Sequence, residues 1–167
     1  MRVTSYTKAW EMQMIRKARI DDAKAIHKLL SEYAEAGKML PRSLAVIYQI
    51  IRSFYIYEDA GVVVGIACLQ IWWADLAEVR SLAVSSTHAG KGCGRNLVEA
   101  CLHEAQQLGI TRVFALTYQK EFFARMGFEV IEKSELPQKI WGDCVQCPKF
   151  PDCDEIAMAR DIPRLES

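Results

Sequence analysis

The sequence has no surplus of charge of either sign: 21 Lys and Arg stand against 21 Asp and Glu, a formal net charge of +0. That balance excludes a global electrostatic pull toward nucleic acid or an anionic lipid surface, so any anion binding must be local. No apolar run reaches the ~18–20 residues of a membrane span, and no membrane partner is expected. The first residues, MRVTSYTKAWEMQM, lack the apolar centre of a secretory signal, which makes the cytoplasm the expected compartment. Neither an internal repeat nor a low-complexity linker interrupts the chain. Glycine is sparse, nine in 167 residues, so the crowding of Gly90, Gly92 and Gly94 is informative.

What is present is an ordinary globular composition, 51% hydrophobic and 25% charged, long enough to bury a core. Residues 1–13 read as an N-terminal extension and residues 14–167 as a single domain. Residues 14–20 alternate weakly, as a short strand does. Asp21 or Asp22 then caps a helix with Ile26, Leu29, Leu30 and Tyr33 at helical spacing, ended by Gly37. Pro41 introduces a second helix whose apolar stripe is Leu44, Ile47, Ile51 and Phe54. Strand-like runs flank Asp59-Ala60-Gly61, a hairpin signal. Residues 77–84 form the next strand. The following helix runs to Leu108, burying Leu97, Cys101, Leu102, Ala105 and Leu108, with Gly109 as its stop. A strand at 112–117, a short helix at 120–126 and two strands at 129–133 and 154–160 complete a mixed α/β sheet. This order is not the regular alternation of a doubly wound dinucleotide fold.

The stretch SSTHAGKGCGRNL turns a strand into a helix through three glycines. It is not a Walker loop, because Gly92 rather than Ser or Thr follows Lys91. Its G-x-G-x-G spacing is not the dinucleotide G-x-G-x-x-G either. Such a loop still aims the first helical amides at one spot, where the helix dipole favours negative charge. Glycines let the backbone approach a ligand and adopt the conformations that turn N–H groups inward. Lys91 adds a cation. A phosphate or pyrophosphate is the expected ligand, with a tight turn as the plainer alternative.

VSSTHAGKGCG resembles the V-x-P-x-x-R-G-x-G-x-G loop of the GCN5-related N-acetyltransferases, and FFARMGF resembles their Y-x-x-x-G-F segment. The element order from Met14 onward is similar as well. The resemblance implies a mostly antiparallel sheet of about six to seven strands with helices on both faces. It also implies acetyl-CoA as co-substrate. The pantetheine arm would lie along the main chain of Leu82, Ala83 and Val84, almost as an added strand. The diphosphate would lie on His88, Ala89, Gly90, Lys91, Gly92, Cys93 and Gly94. Ala89 stands where the family usually has Arg or Gln, which removes one side-chain phosphate contact, and Ser86 replaces the usual Pro.

Acetyl transfer to an amine requires a base for the nucleophile, stabilisation of an oxyanion and an acid for the departing thiolate. Glu78, on the strand before the loop, is the expected base; a structural ion pair with Arg80 is the competing role. The family's usual acid is a Tyr at the position of Phe123, which has no proton to give, so Tyr118 is the substitute. Three further segments resemble short bacterial amino-acid N-acetyltransferases of the N-acetylglutamate synthase type. That resemblance implies the α-amine of L-glutamate as acceptor, the entry step of arginine biosynthesis, with Arg42, Arg80 and Lys139 on its carboxylates. Another amine substrate, or a CoA-binding sensor whose catalysis has lapsed, are the alternatives. Sheet edges in such folds support homodimers.

Six cysteines remain. Cys144, Cys147 and Cys153 have the C-x2-C-x5-C spacing of a zinc site one ligand short, or of free thiols in a proline-stiffened loop. Cys68 and Cys101 read as small core residues, and Cys93 as packing rather than reactive. His27 and His103 are expected at the surface, and Trp72 and Trp73 over the sheet.

Overall fold

A computed structural model describes residues 14–137, 140 and 154–166. Its strands are β1 (Ile15–Lys17), β2 (Phe54–Asp59), β3 (Val62–Trp73), β4 (Leu76–Val84), β5 (Arg112–Thr117), β6 (Glu129–Val130) and β7 (Ile156–Asp161). The helices are α1 (Ala23–Glu35), α2 (Leu44–Gln49), α3 (Cys93–Gln107) and α4 (Lys120–Arg125). The strands form one seven-stranded sheet in the order β1-β2-β3-β4-β5-β7-β6. β4 and β5 pair in parallel, while β1-β2, β2-β3, β5-β7 and β6-β7 pair antiparallel. The expected mixed, mostly antiparallel sheet is thus present. The chain divides into two compact units, Met1–Gln70 with Val79–Glu104, and Ile71–Glu78 with Ala105–Ser167.

In the first unit the β2-β3 hairpin turns at Ala60 (φ 49°) and Gly61 (φ 78°), both left-handed, as a two-residue hairpin loop requires. Ile26, Leu30, Ile47, Phe54, Ile56, Ile66, Cys68 and Ala83 form one buried cluster under α1 and α2. Strand alternation turns Gly65 away from the face that carries Ile66 and Cys68. A Cβ on Gly65 would come within 3.0 Å of Leu97 Cδ1, so α3 lies close over that opposite face. Helices therefore cover both faces of this unit's strands.

Arg16 on β1 ties the start of α1 to the sheet. Its guanidinium donates to both Asp22 carboxylate oxygens at 2.7 and 2.8 Å and to Glu58 Oε2 at 2.8 Å. Asp22 occupies the N-cap position of α1 as expected, but its side chain does not cap the helix amides. Its carboxylate accepts instead from the Arg19 amide at 2.6 Å, closing the 3-10 turn Ile20–Asp22 that leads into the helix. The Arg16 hydrogen bond holds the Asp22 carboxyl below the usual carboxylate range, against the opposing effect of burial. A depressed carboxyl contributes stability above its unfolded pKa of ~3.9, and loses it as pH falls through the folded value. Asp22→Asn is accordingly expected to cost about 1–3 kcal/mol at pH 7, with the difference from wild type closing as acid protonates the folded-state carboxyl. Urea unfolding at neutral and acid pH measures this, and a difference that stays constant with pH would contradict it.

Two expected helical positions differ. Phe54 opens β2, paired with Cys68, rather than ending the α2 stripe. The 3-10 turn Ile51–Ser53 has three residues per turn, so Ile51 and Phe54 still enter the same cluster without a continuous helix. Leu108 is 59% exposed. The chain leaves α3 through Gly109 (φ 85°), where the Gly109 amide donates to Gln106 O and the Ile110 amide to Ala105 O. That closure rotates Leu108 outward and brings Ile110 into the interior, as a glycine-terminated helix end does.

In the second unit β5 runs beside Leu76–Glu78 on one side and β7 on the other. Leu76, Phe114, Leu136, Ile140, Ala157 and Ala159 make its core, with Trp72 packed against them. The Asp75 carbonyl accepts from the Thr111 and Arg112 amides at 3.3 and 3.0 Å, fixing the β3-β4 turn to the start of β5.

Candidate functional site

β4 is regular at its start and irregular at its end. Its register with β5 covers Leu76–Glu78. Ser81 then adopts φ 55°, a left-handed conformation rare for a residue with a side chain. This kink interrupts the strand alternation between Arg80 and Leu82, beyond the pair Glu78 and Arg80. The Ser85 amide donates to Val64 O at 2.7 Å, so the main chain at Ser85 points toward β3. Successive residues of a strand point their amides and carbonyls to opposite sides, so those of Val84 point away from β3.

Beyond Val84 a 3-10 turn, Ser86–His88, leads into the glycines. Gly90 and Gly92 are left-handed, φ 74° and 83°, and nothing lies within 4 Å of a Cβ built on either. They are therefore required by backbone conformation, not by neighbours within the chain, and they leave an open cradle where side chains would otherwise project. Gly94 lies inside the first turn of α3. The Asn96 amide donates to Gly92 O at 3.1 Å, the first intrahelical bond. The amides of Cys93, Gly94 and Arg95 precede it and point along the axis toward the cradle. Lys91 and Ala89 are exposed beside it. The Cys93 thiol is buried, 2% exposed, and burial pushes its pKa up, which fits packing and not reactivity.

His88 is anchored by protein groups at both ring nitrogens. Nε2 lies 2.7 Å from Asp59 Oδ2 at the β2-β3 turn, and Nδ1 lies 2.8 Å from Thr87 Oγ1, which meets Ser85 Oγ at 3.0 Å. The imidazole thus fastens the loop to the hairpin. Asp59 had been legible only as a turn residue, and no signal within the loop pointed to it.

Glu78 is buried, 7% exposed, and its Oε1 accepts from Trp72 Nε1 at 3.0 Å. Trp72 is half-buried and Trp73 is 63% exposed. Tyr118 follows β5 and is 38% exposed. Phe123 is buried, with its ring edge-on to Phe122 and Phe128 at 5.1 Å each. Arg80 is half-buried on β4, and Arg42 is half-buried just before Ser43, whose hydroxyl accepts from the Val46 amide to cap α2. Cys68 and Cys101 are fully buried, as expected. His103 is exposed and His27 half-buried on α1. Lys139, Cys144, Cys147 and Cys153 lie outside the described residues. Among the described residues no group of His, Cys, Asp and Glu is placed to hold a metal ion, and no helix is long and apolar enough to cross a membrane.

Residues 23–128 match the acetyltransferase (GNAT) family. An uncharacterized N-acetyltransferase of Chlorobaculum tepidum is 44% identical over 89% of this chain and 96% of its own length. The amino-acid acetyltransferase of Mycobacterium tuberculosis is 37% identical over 78% of this chain and 76% of its own length. Among solved structures, an M. tuberculosis protein in complex with CoA superposes with a TM-score of 0.77 at 30% identity, covering 89% of this chain and 99% of that one. The N-acetylglutamate synthase of Neisseria gonorrhoeae, complexed with coenzyme A and N-acetyl-glutamate, gives a TM-score of 0.83 at 31% identity. That match covers 90% of this chain but 35% of the synthase. Matched over most of its length by these proteins, the chain belongs to the acetyltransferase (GNAT) family and is an acetyl-CoA-dependent N-acetyltransferase.

Proposed function

We propose that the chain transfers acetyl from acetyl-CoA to the α-amine of an amino acid, with L-glutamate as the acceptor. The observation that carries the cofactor half is the open cradle at Gly90 and Gly92, set before the first-turn amides of α3. Support for the acceptor half comes from the likeness to the Neisseria synthase and to the mycobacterial amino-acid acetyltransferase. In this reading the amides of Cys93, Gly94 and Arg95 hold the diphosphate, and Lys91 adds charge beside it. The main chain of Leu82, Ala83 and Val84 holds the arm, leaving its thioester end directed back along β4. His88 acts on the diphosphate through the loop that it fastens to Asp59, not by a direct contact.

Glu78 takes the proton from the attacking amine, directly or through water. Its burial and the Trp72 N–H, donated to Oε1, hold the carboxylate in place for that transfer. The amine attacks the thioester carbonyl, a main-chain amide of β4 stabilises the oxyanion, and collapse breaks the carbon–sulfur bond. Tyr118 supplies a proton to the departing thiolate. Arg42, Arg80 and Lys139 bind the acceptor's two carboxylates. The same reading places the reaction at the entry to arginine biosynthesis in the cytoplasm.

The test is release of free thiol from acetyl-CoA against a panel of amines. We expect kcat/KM for L-glutamate to exceed that for L-glutamine and L-aspartate by roughly 10–100-fold, since a missing or displaced carboxylate forfeits a charge-assisted contact with the proposed cations. Equal rates across the panel would sink the glutamate assignment and keep the acetyltransferase. CoA binding without turnover on any amine would favour the sensor role.

A further inference from the structure

Val84 is the last residue of β4, and both of its main-chain polar groups are taken by one side chain. Tyr33 Oη donates to Val84 O at 2.8 Å and accepts from Val84 N at 3.0 Å. A phenol hydroxyl has one proton to give and lone pairs to accept, so a single oxygen satisfies the pair completely. This edge faces away from β3, and the registered pairing of β4 with β5 covers only Leu76–Glu78. A strand edge carrying a donor and an acceptor side by side is what an extended amide recognises. Tyr33 therefore occupies, from the last turns of α1, the hydrogen-bonding position that an amide-bearing chain would need to run from the Gly90–Gly92 cradle along β4.

We infer that the Tyr33 hydroxyl is a displaceable placeholder for the cofactor's amide arm on Val84. This rests on the proposed placement of CoA and goes beyond it. The phenol keeps the end of β4 in register while the site is empty and competes with the arm when CoA arrives. Three features fit a group built to leave. Tyr33 is only partly buried against the α1-α2 cluster, so its ring can turn about χ1 without opening the core. Val84 is half-buried, so its amide and carbonyl are within reach of a ligand once the hydroxyl moves. The cation of Lys38 stands over the Tyr33 ring at 5.5 Å from the centroid, a contact that the ring makes without its hydroxyl.

Tyr33→Phe separates competition from simple packing, because it keeps the ring, its place in the cluster and the Lys38 contact while removing the oxygen. Intramolecular hydrogen bonds outweigh those to water by a modest margin, so their loss sets a modest scale. Calorimetric titration of the full chain with CoA should show Tyr33→Phe binding roughly 3–30-fold more tightly than wild type. Without ligand the same variant should melt lower, by about 2–6 °C, because β4 has lost its placeholder. Lower melting with an unchanged CoA affinity would make the hydroxyl merely structural, and weaker CoA binding would make it a direct cofactor ligand; either result overturns the inference. A wild-type chain that takes up no CoA would remove the cofactor placement itself and this inference with it, whereas the other two outcomes leave that placement standing.

Discussion

Glu78→Gln is expected to lower turnover at pH 7 by roughly 10²–10⁴-fold with little change in KM for acetyl-CoA. Gln retains an oxygen that accepts from Trp72 Nε1, so the side chain keeps its buried position while losing the basicity. An α-amine is mostly protonated at neutral pH, and without a base only its unprotonated fraction reacts. That fraction rises with pH, so the variant should recover part of its rate toward pH 9–10, roughly in proportion to free amine. Wild type should flatten earlier. Trp72→Phe is the informative companion: it removes the N–H donor but not the base, and should cost turnover far less than Glu78→Gln. The pH–rate profile of both variants measures this. Turnover of Glu78→Gln equal to wild type at neutral pH would remove Glu78 from the mechanism.

Replacing Gly90 and Gly92 together by Val should weaken CoA binding by roughly 30–1,000-fold and leave the fold in place. Each has a left-handed φ, 74° and 83°, which costs an L residue about 1–2 kcal/mol and a β-branched one more. Nothing lies within 4 Å of the added Cβ atoms, so no clash with the rest of the chain drives unfolding. The loop relieves the strain by leaving the left-handed region, which turns its amides out of the cradle. Calorimetry with CoA and thermal melting, run side by side, separate the two effects. Wild-type affinity in the double variant would show that the diphosphate is held elsewhere; a collapse of the melting temperature would show that these glycines serve the fold.

The sheet and the loop were legible for a common reason. Hairpin chemistry at Ala60-Gly61, the glycine stop at Gly109 and the glycines before α3 act through dihedral angles of one or two residues, which residue type largely sets. Phe54 was not legible, because apolar residues three apart fit an α-helical stripe and a 3-10 turn running into a strand equally well. Asp22 looked like a cap on local grounds, and its carboxylate is instead claimed by Arg16. The kink at Ser81 has no glycine to announce it. Phe123 shows the opposite case: its departure from the family's Tyr was plain in the sequence, while its packing against Phe122 and Phe128 is a tertiary fact.

By itself, the sequence determined the order of strands and helices, the glycine turn into α3 and the family, since each depends on residues within a few positions of one another. Only the tertiary structure decided that Asp59 grips His88 across 29 residues and that Tyr33 covers Val84 across 51. Those contacts join elements brought together by burial of the core, and hydrophobic burial is non-directional. It pulls α1 and the β2-β3 hairpin onto the sheet without naming which polar side chain will meet which backbone edge.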